Sequence, residues 1–192
     1  MTEFEKMTQG LAFNGCDETI DSIRSKAFQL LQRYNTLPVD QSIDIASELF
    51  GSIGDDSMVM PPFHCEFGKT INIGPSTFIN MGAMMLDGAP ITIGSNVLIG
   101  PNCQFYTAGH SMDYRSRRKW ETFCKPIVVG DDVWVGGNTV ICQGVSIGAR
   151  SVIAANSVVT KDMPEDCLVG GTPAKVIRKL HENETPEEAL EA

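Results

Sequence analysis

Three histidines, six cysteines and a cluster of basic side chains are the residues of this chain whose types can do chemistry. His64 and His181 stand near the two ends of the patterned region and read as structural or solvent-exposed. His110 opens a stretch without regular pattern, after Thr107-Ala108-Gly109. A neutral imidazole at the mouth of a loop suits removal of a proton from a hydroxyl near neutral pH. The six cysteines, Cys16, Cys65, Cys103, Cys124, Cys142 and Cys167, form no CxxC pair and have no histidine at metal-ligand spacing. They read as reduced thiols, several of them small core residues, and none is placed as an acyl carrier.

Charge is the second signal. The chain carries a formal net charge of -9, which disfavours nucleic-acid binding. Between Ser111 and Pro126 the balance reverses: Arg115, Arg117, Arg118, Lys119 and Lys125 face only Asp113 and Glu121. Lys161, Lys175, Arg178 and Lys179 form a second basic group. Two such groups on an acidic chain fit a small polyanionic ligand, though any one of them also fits ordinary surface charge. Trp134, flanked by Val133 and Val135, takes an outward phase, either as a stacking platform or as a subunit contact. The start, MTEFEKMTQG, lacks an apolar signal core, and no apolar run reaches bilayer length. A cytoplasmic protein is expected, with no membrane partner.

The elements that position these residues come from a period of six. Val129, Val135, Ile141, Ile147, Ile153 and Val159 recur at that spacing, and Ile73, Ile79, Ile93 and Ile99 extend it upstream. Gly or Ala often follows the aliphatic, and a small or β-branched residue comes four places after it. Helices repeat near 3.6 and strands at 2, so neither explains a six. A chain that turns a corner every six residues does, with three faces per coil of ~18 residues and the aliphatics stacked inside a triangular prism. Two extra residues are absorbed near Asp87-Gly88-Ala89-Pro90. A longer excursion, 106–127, leaves Phe105 and Val129 in phase and reads as a loop thrown out from the prism. Long loops on rigid scaffolds are usually functional.

The fold class expected is mainly β: a single-stranded left-handed parallel β-helix with an N-terminal helical segment and a short C-terminal helix. Residues 1–55 form the helical segment, with Asp17 capping a first helix and a shorter one over Ser42 to Phe50. Residues 56–172 form the β-helix. Residues 173–192 hold the C-terminal helix, from Pro173, and an acidic tail.

Several stretches together resemble a known family. Thr107-Ala108-Gly109-His110, the run Val158 to Pro164, the ending Gly170 to Arg178, and the N-terminal Glu5-Lys6-Met7 and Arg33-Tyr34-Asn35 are similar to the hexapeptide-repeat acetyltransferases, above all the maltose and galactoside O-acetyltransferases. The resemblance implies a homotrimer with active sites between neighbouring prisms, acetyl-CoA along the groove and an acceptor sugar at the other end. It implies His110 as catalytic base, Asn80 beside the reacting groups, and Gly137 as a backbone N–H donor near the thioester. Ala155, Thr160 and Lys161 would touch the coenzyme, with Lys175 and Arg178 near its phosphates. Glu121 is expected to orient His110 through its carboxylate. On the acceptor side the implied contacts are Asp17, Asp87 in its Leu-Asp pair, and Glu66, which stands where the galactoside enzymes have a small hydroxyl residue. The zinc-dependent carbonic anhydrases that share such a prism need three placed histidines. This chain does not provide them, so no metal is expected. The reaction implied is direct acetyl transfer to a sugar hydroxyl. The alternatives are an antibiotic O-acetyltransferase on the same fold and a non-catalytic binding prism.

Overall fold

The computed structural model describes residues 1–119 and 121–180. His181 and the acidic tail lie outside the described residues. The hexads build three parallel sheets that wrap one core. The first face stacks Ser52–Ile53, Ile71–Ile73, Ile91–Ile93, Ile127–Val129 and Ser146–Ile147. The second stacks Met58–Val59, Phe78–Ile79, Leu98–Ile99, Trp134–Val135, Val152–Ile153, Cys167–Gly171 and Ala174–Lys179. The third stacks His64–Cys65, Met84–Leu86, Gln104–Tyr106, Val140–Ile141 and Val158–Val159. Each strand is short because alternate residues must point in and out before the next corner. The inward aliphatics, among them Ile79, Ile99, Val135 and Ile153, are buried almost completely. Each such side chain contributes about 1.5–3 kcal/mol of hydrophobic stabilisation.

Register fixes the coil lengths. Ile71 pairs with Ile91, twenty positions on, so the two extra residues at 87–90 are absorbed in a corner. Val129 pairs with Ile147, eighteen on. Ile91 pairs with Ile127, so the excursion leaves the stacking intact. Two residue types divide the labour at the corners. The left-handed turn conformation falls on Asn96, Asn102, Asp132, Asn138 and Asn156 among others, residues that tolerate positive φ. The glycine that follows the aliphatic serves close packing instead: a Cβ on Gly136 would lie 2.5 Å from the Ala155 backbone nitrogen of the next coil.

Three helices precede the coils: α1 (Glu3–Thr8), α2 (Glu18–Tyr34) and α3 (Val39–Leu49). Asp17 caps α2, its Oδ1 accepting from the Thr19 and Ile20 N–H groups at 3.0 and 3.4 Å. Ala27, Leu30, Leu31 and Tyr34 face the core. The third helix starts at Val39, directly after Pro38, earlier than the expected Ser42. The first went unread, although Thr2 and Glu5 form a capping box around its start.

Among the described residues the helix expected from Pro173 is not formed, a correction to the sequence reading. Ala174–Lys179 is a strand, antiparallel to Cys167–Gly171. An isolated helix of this length is marginal in water. The edge of the last coil offers unpaired backbone groups that a strand satisfies, and the β-branched Val176 and Ile177 suit it. The turn runs through Gly171, at φ 101°, and Pro173.

Candidate active site

His110 is carried by a two-stranded antiparallel hairpin, Ala108–His110 against Thr122–Cys124, with Ala108 opposite Cys124 and His110 opposite Thr122. The Lys125 N–H donates to the Thr107 carbonyl at 2.9 Å and closes the base of the excursion. Its tip folds as α4 (Tyr114–Arg117), capped by Asp113. Arg117 Nη1 donates to the Ser111 and Met112 carbonyls at 2.8 and 2.9 Å. The tip is therefore ordered by its own basic side chains, and Arg118 lies over the Tyr114 ring at 5.0 Å.

The imidazole of His110 is exposed, and its Nδ1 sits 3.1 Å from the Glu121 main-chain carbonyl. A carbonyl only accepts, so Nδ1 carries the proton and Nε2 keeps its lone pair. Nε2 is then the nitrogen available as a base. The Thr122 hydroxyl also approaches Nδ1, at 3.4 Å. The atom of Glu121 that meets the ring is its main-chain carbonyl, whereas the expectation placed the carboxylate there.

The other expected residues fall on two separate corners. Asn80, Gly137 and Ala155 stack along the corner between the second and third faces. A Cβ on Gly100 would lie 2.6 Å from the Gly137 nitrogen, and one on Gly136 2.5 Å from that of Ala155. The Asn80 Oδ1 accepts from the Met81 N–H at 2.8 Å. His110 springs from the corner between the third and first faces, where Thr160 and Lys161, both exposed, follow on a later coil. The third face separates the two groups within one chain.

The second face carries an outward stripe. Register aligns Leu98, Trp134, Val152, Leu168 and Arg178 across successive strands. The Trp134 side chain is 55% exposed. At roughly 4.8 Å per strand, Trp134 and Arg178 stand about 14 Å apart along the stripe. Lys175 lies exposed on the same terminal strand, opposite Gly170.

Comparison with known proteins settles the family. The family model described as bacterial transferase hexapeptide (six repeats) matches residues 126–161. The maltose acetyltransferase hexapeptide capping motif matches residues 6–54. The galactoside O-acetyltransferase of Escherichia coli (strain K12) is 33% identical, the match covering 94% of this chain and 90% of that one. The chain belongs to the hexapeptide-repeat acetyltransferases of the maltose and galactoside O-acetyltransferase type. A Vibrio cholerae hexapeptide-repeat acetyltransferase, solved in complex with acetyl coenzyme A, is 60% identical with a TM-score of 0.91, covering 95% of this chain and 100% of that one. A maltose O-acetyltransferase from Clostridium difficile 630 is 37% identical with a TM-score of 0.92, covering 95% and 99%.

In this acetyltransferase the three acidic residues expected on the acceptor side differ sharply. Asp87 is fully buried. Its Oδ1 accepts the Glu66 and Phe67 N–H groups, both at 2.9 Å, and its Oδ2 accepts the Thr70 hydroxyl at 2.7 Å. Burial raises its pKa, against the pull of those hydrogen bonds. That arrangement disagrees with the expected contact to an acceptor: the carboxylate holds the 66–70 turn. Asp17 uses its Oδ1 to cap α2. Glu66 is partly exposed and pairs with Arg24 Nε at 3.1 Å. Burial raises the Glu66 pKa, with Arg24 opposing. Cys65 and Cys124 beside this cluster are also pushed up by burial, Cys124 to about 11, so neither is a ready nucleophile.

Sequence reading missed the link between this cluster and the hairpin. Met7, Ile20, Phe67, Ala89 and Cys124 form a second small core, and Phe4 and Ala108 pack against it. The N-terminal helices thus hold the hairpin two residues from His110. The apolar spacing of the helices gave no sign of their partner. Among the described residues no group of His, Cys, Asp and Glu is arranged to hold a metal, and no helix is long and apolar enough to cross a membrane.

Proposed function

We propose that this acetyltransferase moves the acetyl group of acetyl-CoA to a hydroxyl of a sugar, with His110 as general base. The observation that carries the reading is the His110 ring: Nδ1 faces a carbonyl, so Nε2 is free to accept the acceptor's proton. The acceptor oxygen attacks the thioester carbonyl, the C–S bond breaks, and the imidazolium returns the proton to the departing thiolate. The Gly137 N–H and the Asn80 amide would stabilise the oxyanion. The apolar stripe around Trp134 suits an extended thiol arm. Exposed Lys161 and Lys175, with Arg178, Ala155 and Thr160, suit the coenzyme's nucleotide end. Glu66 and Asp17 are the acceptor-side candidates. The maltose and galactoside names of its relatives support a sugar acceptor.

The two corners support a homotrimer. His110 and the Asn80–Gly137–Ala155 column cannot meet on one chain, so a cleft that uses both takes one from each of two neighbours. Thiol release from acetyl-CoA over a panel of sugars tests the chemistry: His110→Ala should lose about 10²–10⁴ in rate. Near-full turnover by that variant would rule the base out. Mixing inactive His110→Ala and Asn80→Ala chains, unfolded and refolded together, should restore activity at about a quarter of the clefts. A mixture no more active than its parents would argue against a shared cleft.

A further inference from the structure

The hairpin that bears His110 rests on a turn that no role above uses. The turn from Cys142 to Val145 follows the strand Val140–Ile141, one coil beyond the excursion. On one side, the Gln143 amide lies directly against Gly109: a Cβ there would sit 2.4 Å from Nε2 and 2.8 Å from Oε1. On the other, the Lys125 stem covers Gly144, which adopts φ +75°; a Cβ on that glycine would meet Lys125 Cδ at 3.2 Å. Both ends of the hairpin therefore stand on this one turn. The N-terminal core grips the hairpin through Ala108. Gly109 is held between the two supports, and His110 is the next residue.

The Gln143 Oε1 is buried and has no hydrogen-bond partner among the described residues. Buried polar atoms are almost always paired, so an orphan needs a reason. An amide free to turn would present its oxygen to water. This one lies under the hairpin strand, against Gly109.

We propose that Gln143 is a positioning residue for His110: its side chain fills the space under Gly109 and sets the height of the imidazole over the cleft. The proposal rests on His110 being the base. It makes the Gly109–Gln143 pair one unit, since a side chain at 109 would push the amide out of its present place. Shortening Gln143 lets the strand settle into the vacated space, and a shift of ~1 Å in a catalytic group costs on the order of a hundredfold.

The test uses the full chain with acetyl-CoA and the best acceptor from the sugar panel. Gln143→Ala should lower kcat about ten- to a hundredfold, with KM and calorimetric coenzyme A affinity changed by less than about twofold. Gln143→Met, similar in length but without the amide, should recover kcat to within about threefold of the parent, because occupancy rather than hydrogen bonding does the positioning. Wild-type kcat in Gln143→Ala overturns the proposal. So does a joint fall in kcat, coenzyme affinity and melting temperature that Gln143→Met fails to repair. An active His110→Ala protein overturns the base assignment and this inference with it. An inactive His110→Ala beside a fully active Gln143→Ala overturns this inference alone.

Discussion

Replacing Asp87 by alanine removes the acceptor of three donors at once: the Glu66 and Phe67 N–H groups and the Thr70 hydroxyl. The Thr70 hydroxyl also donates to the Asp87 main-chain carbonyl, which alanine keeps, so the buried donor left without an acceptor is the Phe67 N–H. A buried donor left without a partner costs about 1–3 kcal/mol, so the alanine variant should lose about 2 kcal/mol. Asparagine keeps the Oδ1 acceptor and drops the charge, so Asp87→Asn should lose less than about 1 kcal/mol. In urea, with slopes of about 2–3 kcal/mol per molar, the alanine midpoint should fall by about 1 M at fixed protein concentration. The pH dependence gives an independent check. Burial raises the Asp87 pKa above its unfolded value, so the native state holds that proton more tightly. Its contribution to stability is complete below the unfolded value of about 3.9 and is lost as pH rises through the raised native value. The asparagine variant has no such proton to lose, so its stability relative to the parent should improve as pH climbs through that window. Equal urea midpoints for alanine and asparagine would refute the hydrogen-bond argument. A pH-independent difference between Asp87→Asn and the parent would refute the burial argument.

Two further changes probe the cleft. Trp134→Ala, which strips the exposed indole from the second face, should raise KM for acetyl-CoA about tenfold while leaving the unfolding midpoint within the small range typical of surface positions. If affinity is kept and the oligomer falls apart in sedimentation, the indole is a subunit contact instead. Glu121→Ala should keep kcat within about threefold, because the His110 ring meets the main-chain carbonyl and any residue supplies one. A collapse in its rate would return the role to the carboxylate.

The prism was legible because its cause is local and repeated. Each aliphatic of the series Val129 to Val159 must be buried, and six-residue spacing buries all of them only around three corners. His110 was legible as a candidate from its place at the loop mouth, and its strength as one came from the resemblance. What escaped depends on contacts remote in sequence or on backbone atoms. The donors to Asp87 come from the 66–70 turn, one coil earlier, so nothing beside Asp87 in sequence announced them, and its acceptor contact was what the resemblance implied. The Glu121 carbonyl has no signature in residue type. Gln143 meets Gly109 across the third corner, in a hexad that looks ordinary. The stretch Ala174–Lys179 has helical composition, and an unpaired sheet edge overrode it.

The single hydrogen bond from Lys125 to Thr107 has a consequence for how such a molecule diversifies. It makes the excursion a cassette whose entry and exit are adjacent. Residues added or removed between them leave Ile91 stacked on Ile127 as before. Elsewhere most corners touch the next coil at backbone distance, and the largest insertion one of them absorbs is two residues, as at 87–90. Evolution can therefore rewrite the segment beside the proposed base while the rest of the prism stays constant. With the roles proposed above, one donor paired with many acceptors is the outcome this architecture makes easy.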